Sequence, residues 1–323
     1  MILEIHHFRN FEHNFFNFNK KNLIIGKNAS GKTNLLEAIY LTLRGKTKNN
    51  VPNQNLIQFS KKNALIRNSV YGKRIEIIIN NKNKIIKVND KRLNSNIELW
   101  QYFKVFYINP FDSLLLSQEP RNKRKFLDEI ILNINPDNAK IYKDLKILNT
   151  QKNYILKNKK DRELIKSYDI KLTQLSKKIS NLREEVLNNI ILNTKDLLKE
   201  ESIEINYYKS LESKEMEKKD IIEAKTKRNI INPSRDNFSV KIKNINSTFL
   251  STGEIKKFSL ALHLAKINIF KEYNCISLFD EINSFLDKTN LDILLKWIQK
   301  INDYVFITST SELDLENFDK IFL

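Results

Sequence analysis

Glycine and proline are scarce in this 323-residue chain, five of each, and cysteine occurs once, at Cys275. A single cysteine excludes an internal disulfide framework, and its place in an apolar run suits a reducing compartment. No run of 18 apolar residues occurs, which argues against a transmembrane helix. The opening residues, MILEIHHFRN, lack the charged-then-apolar layout of a signal peptide, so a soluble, cytoplasmic protein with no membrane partner is expected. Acidic residues are outnumbered: 56 Lys and Arg face 38 Asp and Glu, a formal net charge of +18. That excess favours a polyanionic partner, nucleic acid first. Lys, Asn and Ile crowd the whole chain, so part of the charge reflects composition rather than a site.

Against this scarcity, two of the five glycines fall within IIGKNASGKTNLLEAIY, residues 24–40. The spacing Gly26-x-x-x-x-Gly31-Lys32-Thr33 is that of a phosphate-binding loop. Its glycines let backbone N–H groups close around a phosphate, its lysine reaches the β- and γ-phosphates, and its threonine hydroxyl coordinates Mg²⁺. Leu23, Ile24 and Ile25 suit a buried strand before the loop, and Leu36, Ile39 and Leu43 recur as on the buried face of a helix after it. Strand, loop and helix in that order aim a helix N-terminus at an anion. ATP and Mg²⁺ are the expected cofactors. The nucleotide-binding set is Gly26, Lys27, Asn28, Ala29, Ser30, Gly31, Lys32, Thr33 and Asn34.

Strands are expected at 64–70, 74–79, 84–89 and 105–108, with a turn at Asn80–Asn83. From about 122 to 230 charged residues dominate and Pro136 is the only Pro or Gly. Leu172, Leu175, Ile179, Leu182 and Val186 step by three and four, and Leu145 and Leu148 begin a second stripe. Two long helices packed antiparallel are expected, with a turn in KNKKDRE, 157–163. Mixed α/β character returns after Pro233. CISLFDE (275–281) reads as a buried strand ending in two acids, followed by a helix near 288–300 and a strand at 304–310. The implied segments are 1–121, 122–230 and 231–323.

Asp280 is placed to hold Mg²⁺ alongside Thr33, and Glu281 to polarise an attacking water. Ser251-x-Gly253, ahead of a helix with Ile255, Phe258, Leu262, Ala265 and Ile269 on one face, is either a serine N-cap or a second anion site. A second phosphate cradle makes sense if it serves a nucleotide held by another copy of the chain. The basic cluster Arg121, Lys123, Arg124 and Lys125 is a candidate DNA contact or a brace for the helices.

Taken together these motifs resemble those of ABC-type ATPases, whose two heads sandwich two ATPs, and within them the RecF family of bacterial DNA-repair proteins. FRNFE (8–12), GKNASGKTNLLEAIY (26–40), INPFDSLLLSQEPRNKRKFLD (108–128), NPSRDNF (232–238) and STGEIKKFSLALHLAK (251–266) carry the resemblance. It implies an α/β head of mixed sheets flanked by helices, with an inserted antiparallel helical arm. It also implies that Lys32 and Glu281 serve ATP hydrolysis, that Asp280 assists the metal, and that Ser251 and Gly253 reach the γ-phosphate bound by the partner copy. Asp287, in Phe285-Leu286-Asp287, would stabilise that interface. The implied activity is ATP-driven dimerisation on gapped DNA with slow hydrolysis, together with RecO- and RecR-type mediators that load recombinase. Ala29 stands where the family usually has Gly, Glu254 replaces an amide, Phe285 an acid and Ser234 a His. Asp112 is the candidate for the superfamily's metal-sensing glutamine. A transporter ATPase would share loop and signature but not a hundred-residue charged insertion. A chromosome-maintenance clamp would need far longer arms.

Overall fold

The computed structural model describes residues 1–158, 161–199, 202–282 and 286–323. It divides into two compact units, one of Met1–Ser113 with Lys266–Leu323 and the other of Leu114–Ala265. These boundaries differ from the three expected segments. Residues 231–265 group with the helical region because strand Asn237–Ile242 pairs antiparallel with strand Ile203–Tyr208.

In the first unit a five-stranded sheet runs in the order Asp319–Phe322, Lys21–Ile25, Tyr304–Ser309, Cys275–Phe279, Lys104–Ile108. Every pairing in it is parallel. Parallel strands covered on both faces read as near-continuous apolar runs, as Leu23-Ile24-Ile25 does and as Cys275–Phe279 does apart from Ser277. Cys275 is buried and donates to the Phe270 carbonyl at 3.2 Å; burial pushes its thiol up to about 12, so it stays protonated and inert.

The same unit holds a six-stranded antiparallel sheet in the order Phe11–Asn17, Ile2–Phe8, Asn63–Val70, Lys73–Asn80, Lys84–Val88, Lys91–Arg92. Ile75, Ile77 and Ile79 are buried while Arg74 is exposed and Glu76 and Ile78 are half-buried, the alternation of a sheet with one solvated face. The expected turn forms, with the Asn80 side-chain oxygen accepting from Lys82 N at 3.0 Å and Asn83 N at 2.6 Å. Helix Lys32–Arg44 packs against strands of both sheets. Leu35, Ala38, Leu41 and Thr42 are therefore buried along with the predicted Leu36, Ile39 and Leu43. It ends at Gly45, whose left-handed backbone (φ 68°) lets its N–H reach the Leu41 carbonyl.

In the second unit, helices Ala139–Asn158 and Arg162–Leu198 pack antiparallel through Leu145, Leu172 and Ile179, as the periodicity predicts. Part of the turn expected at 157–163 lies outside the described residues. Strand Ile203–Tyr208 corrects the expectation of a purely helical segment. Ile203, Ile205 and Tyr207 alternate with polar residues, a period-2 signal masked by the surrounding lysines. Asp236 of NPSRDNF is fully buried and accepts from Ser180 Oγ at 2.6 Å and Tyr207 OH at 2.8 Å, while Arg183 pairs with Asp128 at 2.7 Å.

Between the helices, Lys152 is fully buried, its ammonium 2.5 Å from Asp169, 2.7 Å from Glu223 and 2.8 Å from Asn229 Oδ1. Removing one member of a buried pair leaves the other charge uncompensated. Lys152→Met is expected to destabilise the protein by about 3 kcal/mol, because among the described residues Glu223 keeps no cation while Asp169 keeps Lys219. Urea unfolding of this variant checks it; an unchanged midpoint would show that the ammonium contributes nothing there.

Candidate nucleotide site

Strand Lys21–Ile25 delivers the chain into the loop at the carboxyl end of the parallel sheet. Gly26 N–H donates to the Ser309 carbonyl at 3.2 Å, pinning the loop's start to the neighbouring strand. At its far end Gly31 adopts φ +108°, and a Cβ there would lie 2.5 Å from the Asn10 side chain. The dihedral favours glycine, and a Cβ would also displace the Asn10 amide that braces the loop. Gly31 caps helix Lys32–Arg44 without a side-chain hydrogen bond. The N–H groups of the first helical turn have no intrahelical acceptors by construction, so they are available to an anion.

Within this loop Lys32 is buried and its ammonium donates to the carbonyls of Gly26 at 2.7 Å and Lys27 at 2.8 Å. Ser30 N–H donates to the Lys27 carbonyl at 3.2 Å, whereas its hydroxyl is buried with no hydrogen-bond partner among the described residues. Lys27, Asn28 and Ala29 form the turn itself, and Asn34 donates to Asn10 Oδ1 at 2.8 Å. Asn10 also donates to the Ser30 carbonyl at 3.3 Å, so the turn after the first strand braces the loop from outside.

Strand Cys275–Phe279 ends at Asp280, which is 6% exposed. Three hydroxyls converge on its carboxylate: Thr33 Oγ1 at 3.1 Å and Thr308 Oγ1 at 2.8 Å on one oxygen, Tyr107 OH at 2.7 Å on the other. Burial, then the Asp280 charge, pushes the Tyr107 phenol well above its usual range, so it remains a donor. Glu281 follows with a left-handed backbone, φ 47°, held by its N–H on Thr308 Oγ1 at 2.8 Å. That conformation is costly for a non-glycine residue. The structure thus brings together Gly26 through Asn34, Asp280 and Glu281. The sequence reading missed Tyr107, Thr308 and Asn10. Tyr107 and Thr308 are polar positions at the ends of apolar strands, the same signal that singled out Asp280.

Other predicted residues fall elsewhere. Asp112 pairs with Lys48 at 2.5 Å and accepts from Asn109 N at 2.8 Å, which makes it a turn cap. Asp287 caps helix Lys288–Gln299, accepting from Asn290 N at 2.9 Å; Phe285 beside it lies outside the described residues. In the second unit Ser251 and Glu254 form a capping box: Ser251 Oγ accepts from Glu254 N at 3.3 Å and the Glu254 carboxylate accepts from Ser251 N at 2.9 Å. Glu254 is fully exposed, and its hydrogen bonds to Ser251 hold its carboxyl below the usual range. Gly253 has open space around it. Lys123 is buried, its ammonium 3.4 Å from the Phe238 carbonyl, and Arg124 donates to the Asp236 carbonyl at 2.6 Å. Both brace the unit, whereas Arg121 and Lys125 are exposed.

This combination of loop, strand-end acids and buried parallel sheet defines a nucleotide-binding ATPase domain, and the family model described as AAA domain matches residues 3–320. The DNA replication and repair protein RecF of Clostridium acetobutylicum is 31% identical over 350 residues, covering 98% of this chain and 94% of that protein. RecF of Clostridium botulinum (strain ATCC 19397 / Type A) is 30% identical, covering 95% of this chain and 92% of its own length. The chain belongs to the RecF family. A solved structure of the recombination mediator protein RecF, described as RecF-ATPrS in the RecFOR pathway, superposes with a TM-score of 0.88 at 27% identity over 100% of this chain and 95% of that one. An Smc head bound to ScpA superposes with a TM-score of 0.57 at 15% identity over 99% of this chain and 93% of that one, a likeness of fold alone.

Ala29 sits at φ 66°, in the left-handed region. A side chain there costs about 1–2 kcal/mol, partly offset by the about 0.4–1 kcal/mol that glycine's extra freedom in the unfolded chain would cost. Ala29→Gly is therefore expected to stabilise the protein by about 0.5 kcal/mol, raising the melting temperature by about 1–2 °C. A lower melting temperature would refute the strain.

Proposed function

We propose that this protein binds ATP with Mg²⁺ and uses the nucleotide to pair with a second copy of itself on DNA, as a recombination mediator working with RecO- and RecR-type proteins in the cytoplasm. The observation that carries the reading is the meeting of Thr33 and Asp280, 3.1 Å apart beside the glycine loop. A hydroxyl and a carboxylate at that separation fit the donor set of a hydrated Mg²⁺. The buried, unpartnered Ser30 hydroxyl and the uncapped helix start fit a phosphate. Two solved relatives are described with RecF-ATPrS and RecF-ATP in the RecFOR pathway, which supports the same nucleotide here.

When bound, the magnesium nucleotide supplies a phosphoanhydride open to attack by water. Lys32 neutralises the phosphates, and its two carbonyl contacts aim it along the loop. Thr33 and Asp280 hold the metal, and Tyr107 and Thr308 fix the Asp280 carboxylate. Glu281 accepts the proton of the attacking water. Ser251 and Gly253 of a second copy complete the phosphate cradle, with Glu254 bringing a carboxylate where an amide would be neutral. The net charge of +18 supports a DNA partner, with Arg121 and Lys125 as the exposed members of the basic cluster.

Two measurements test this reading. Lys32→Ala removes the loop's buried ammonium, and ATP affinity in equilibrium titration is expected to fall at least about a hundredfold, since each 1.4 kcal/mol is tenfold; equal binding by wild type and variant would remove the basis of the assignment.

Glu281→Gln keeps the side chain's size but cannot take a proton. It is expected to bind ATP, hydrolyse it at least about a hundredfold more slowly and accumulate as a dimer. Adding Ser251→Arg is expected to abolish that dimer in light scattering without weakening ATP binding by the monomer. A monomeric Glu281→Gln, or a double variant that still dimerises, would refute the shared-nucleotide arrangement.

A further inference from the structure

The solvated face of the six-stranded sheet carries a second constellation, apart from the loop. Strand register sorts that face into rows. One row runs Phe15, Glu4, Arg67, Glu76, Lys87, and its neighbour runs His13, His6, Leu65, Ile78. The first is a ladder of alternating charge: Arg67 lies 3.4 Å from Glu4 and 3.0 Å from Glu76, and Lys87 lies 3.0 Å from Glu76. In the second, the His6 and His13 rings stack face to face, with centroids 4.2 Å apart and planes 16° apart. Glu4 lies two residues before His6, so the strand's period of two puts its carboxylate on the same face. Its Oε1 is 2.7 Å from His6 Nε2.

One ligand atom each from Glu4, His6 and His13 lies within 4.8 Å of the others. Bonds of about 2.0–2.2 Å in a tetrahedral zinc site separate ligand atoms by about 3.4 Å, so side-chain rotation alone brings these three onto one ion. Two imidazoles and a carboxylate are the donor set of a borderline divalent transition ion; a hard cation such as Mg²⁺ prefers all-oxygen ligands. Arg67 opposes a nearby positive ion, but its guanidinium keeps Glu76 when Glu4 turns to the metal.

We propose that Glu4, His6 and His13 form a binding site for a zinc-class divalent ion that joins strand Ile2–Phe8 to the edge strand Phe11–Asn17. The edge strand pairs with no other strand among the described residues. An ion across this pair ties it down by a bond set that its backbone ladder does not supply, which raises stability in proportion to occupancy. Water or a small anion fills the remaining coordination position, because three protein ligands leave a tetrahedral ion open.

Zinc chloride titrated calorimetrically into the full chain tests this, in excess Mg²⁺ so that Thr33 and Asp280 are not counted. The expected result is one ion per chain and a melting temperature several degrees higher in zinc than in chelator. His13→Ala, at an exposed position where folding is not at stake, and Glu4→Gln should each weaken binding at least about tenfold. His7→Ala, which removes a histidine outside the trio, should leave binding unchanged. Cobalt in place of zinc should give a visible absorption band in wild type that is missing in His13→Ala. Absence of saturable binding by wild type, or wild-type binding by both His13→Ala and Glu4→Gln, overturns the proposal.

Discussion

A single carboxylate, 6% exposed at the end of a buried strand, is the constraint on which the first unit's site depends. A carboxyl group buried in that position needs hydrogen-bond partners, and three hydroxyls are aimed at it, each from a different part of the chain. Thr33 opens the loop helix, Tyr107 lies in the strand on one side of Asp280, and Thr308 lies in the strand on the other. The parallel order of those strands puts their carboxyl ends side by side. Residues 247, 173 and 28 positions away in sequence can therefore share two oxygen atoms. Neutral donors satisfy the lone pairs without cancelling the charge. A divalent cation would find its anionic ligand already oriented.

The same economy governs the backbone around it. Thr308 accepts the Glu281 N–H while donating to Asp280, so one hydroxyl fixes both acids. Asn10 does the equivalent service for the loop, contacting Ser30 and Asn34 and filling the space beside Gly31. Two costly conformations, at Ala29 and Glu281, are concentrated in this small region, and the surrounding hydrogen bonds hold them. The second unit shows a different solution to buried charge. There Asp236 and Asp128 share one guanidinium, that of Arg183, and hydroxyls of Ser180, Tyr207 and Ser210 donate to Asp236 as well, a structural arrangement in which both acids are already committed to a cation.

The loop was legible because two glycines at a fixed spacing ahead of Lys-Thr stand out sharply in a glycine-poor chain. Asp280 and Glu281 were legible because acids that end an apolar run need a reason to be there. Tyr107, Thr308 and Asn10 carried no such contrast: each is an ordinary residue whose meaning comes from strand neighbours far away in sequence. The helices Ala139–Asn158 and Arg162–Leu198 followed from periodicity, but Ile203–Tyr208 did not, since a half-buried strand of six residues leaves only three apolar positions among charges. Lys123 and Arg124 were indistinguishable from Arg121 and Lys125 by type; which basic side chains turn inward is decided by the helix face. The outward-facing histidine pair needed the strand register, which no local pattern fixes.

The order of strands in the parallel sheet has a consequence for synthesis on the ribosome. Strand Lys21–Ile25 lies between Tyr304–Ser309 and Asp319–Phe322, so its partners are translated about 280 residues later, a delay on the order of 15–60 s at bacterial elongation rates. The unit Leu114–Ala265 is contiguous and can complete itself meanwhile. Leu23, Ile24 and Ile25 have no such option, and through most of elongation they form an apolar segment without its sheet. The nascent chain is thus expected to be a client for hydrophobic-segment chaperones, and unable to retain nucleotide until the last strands emerge.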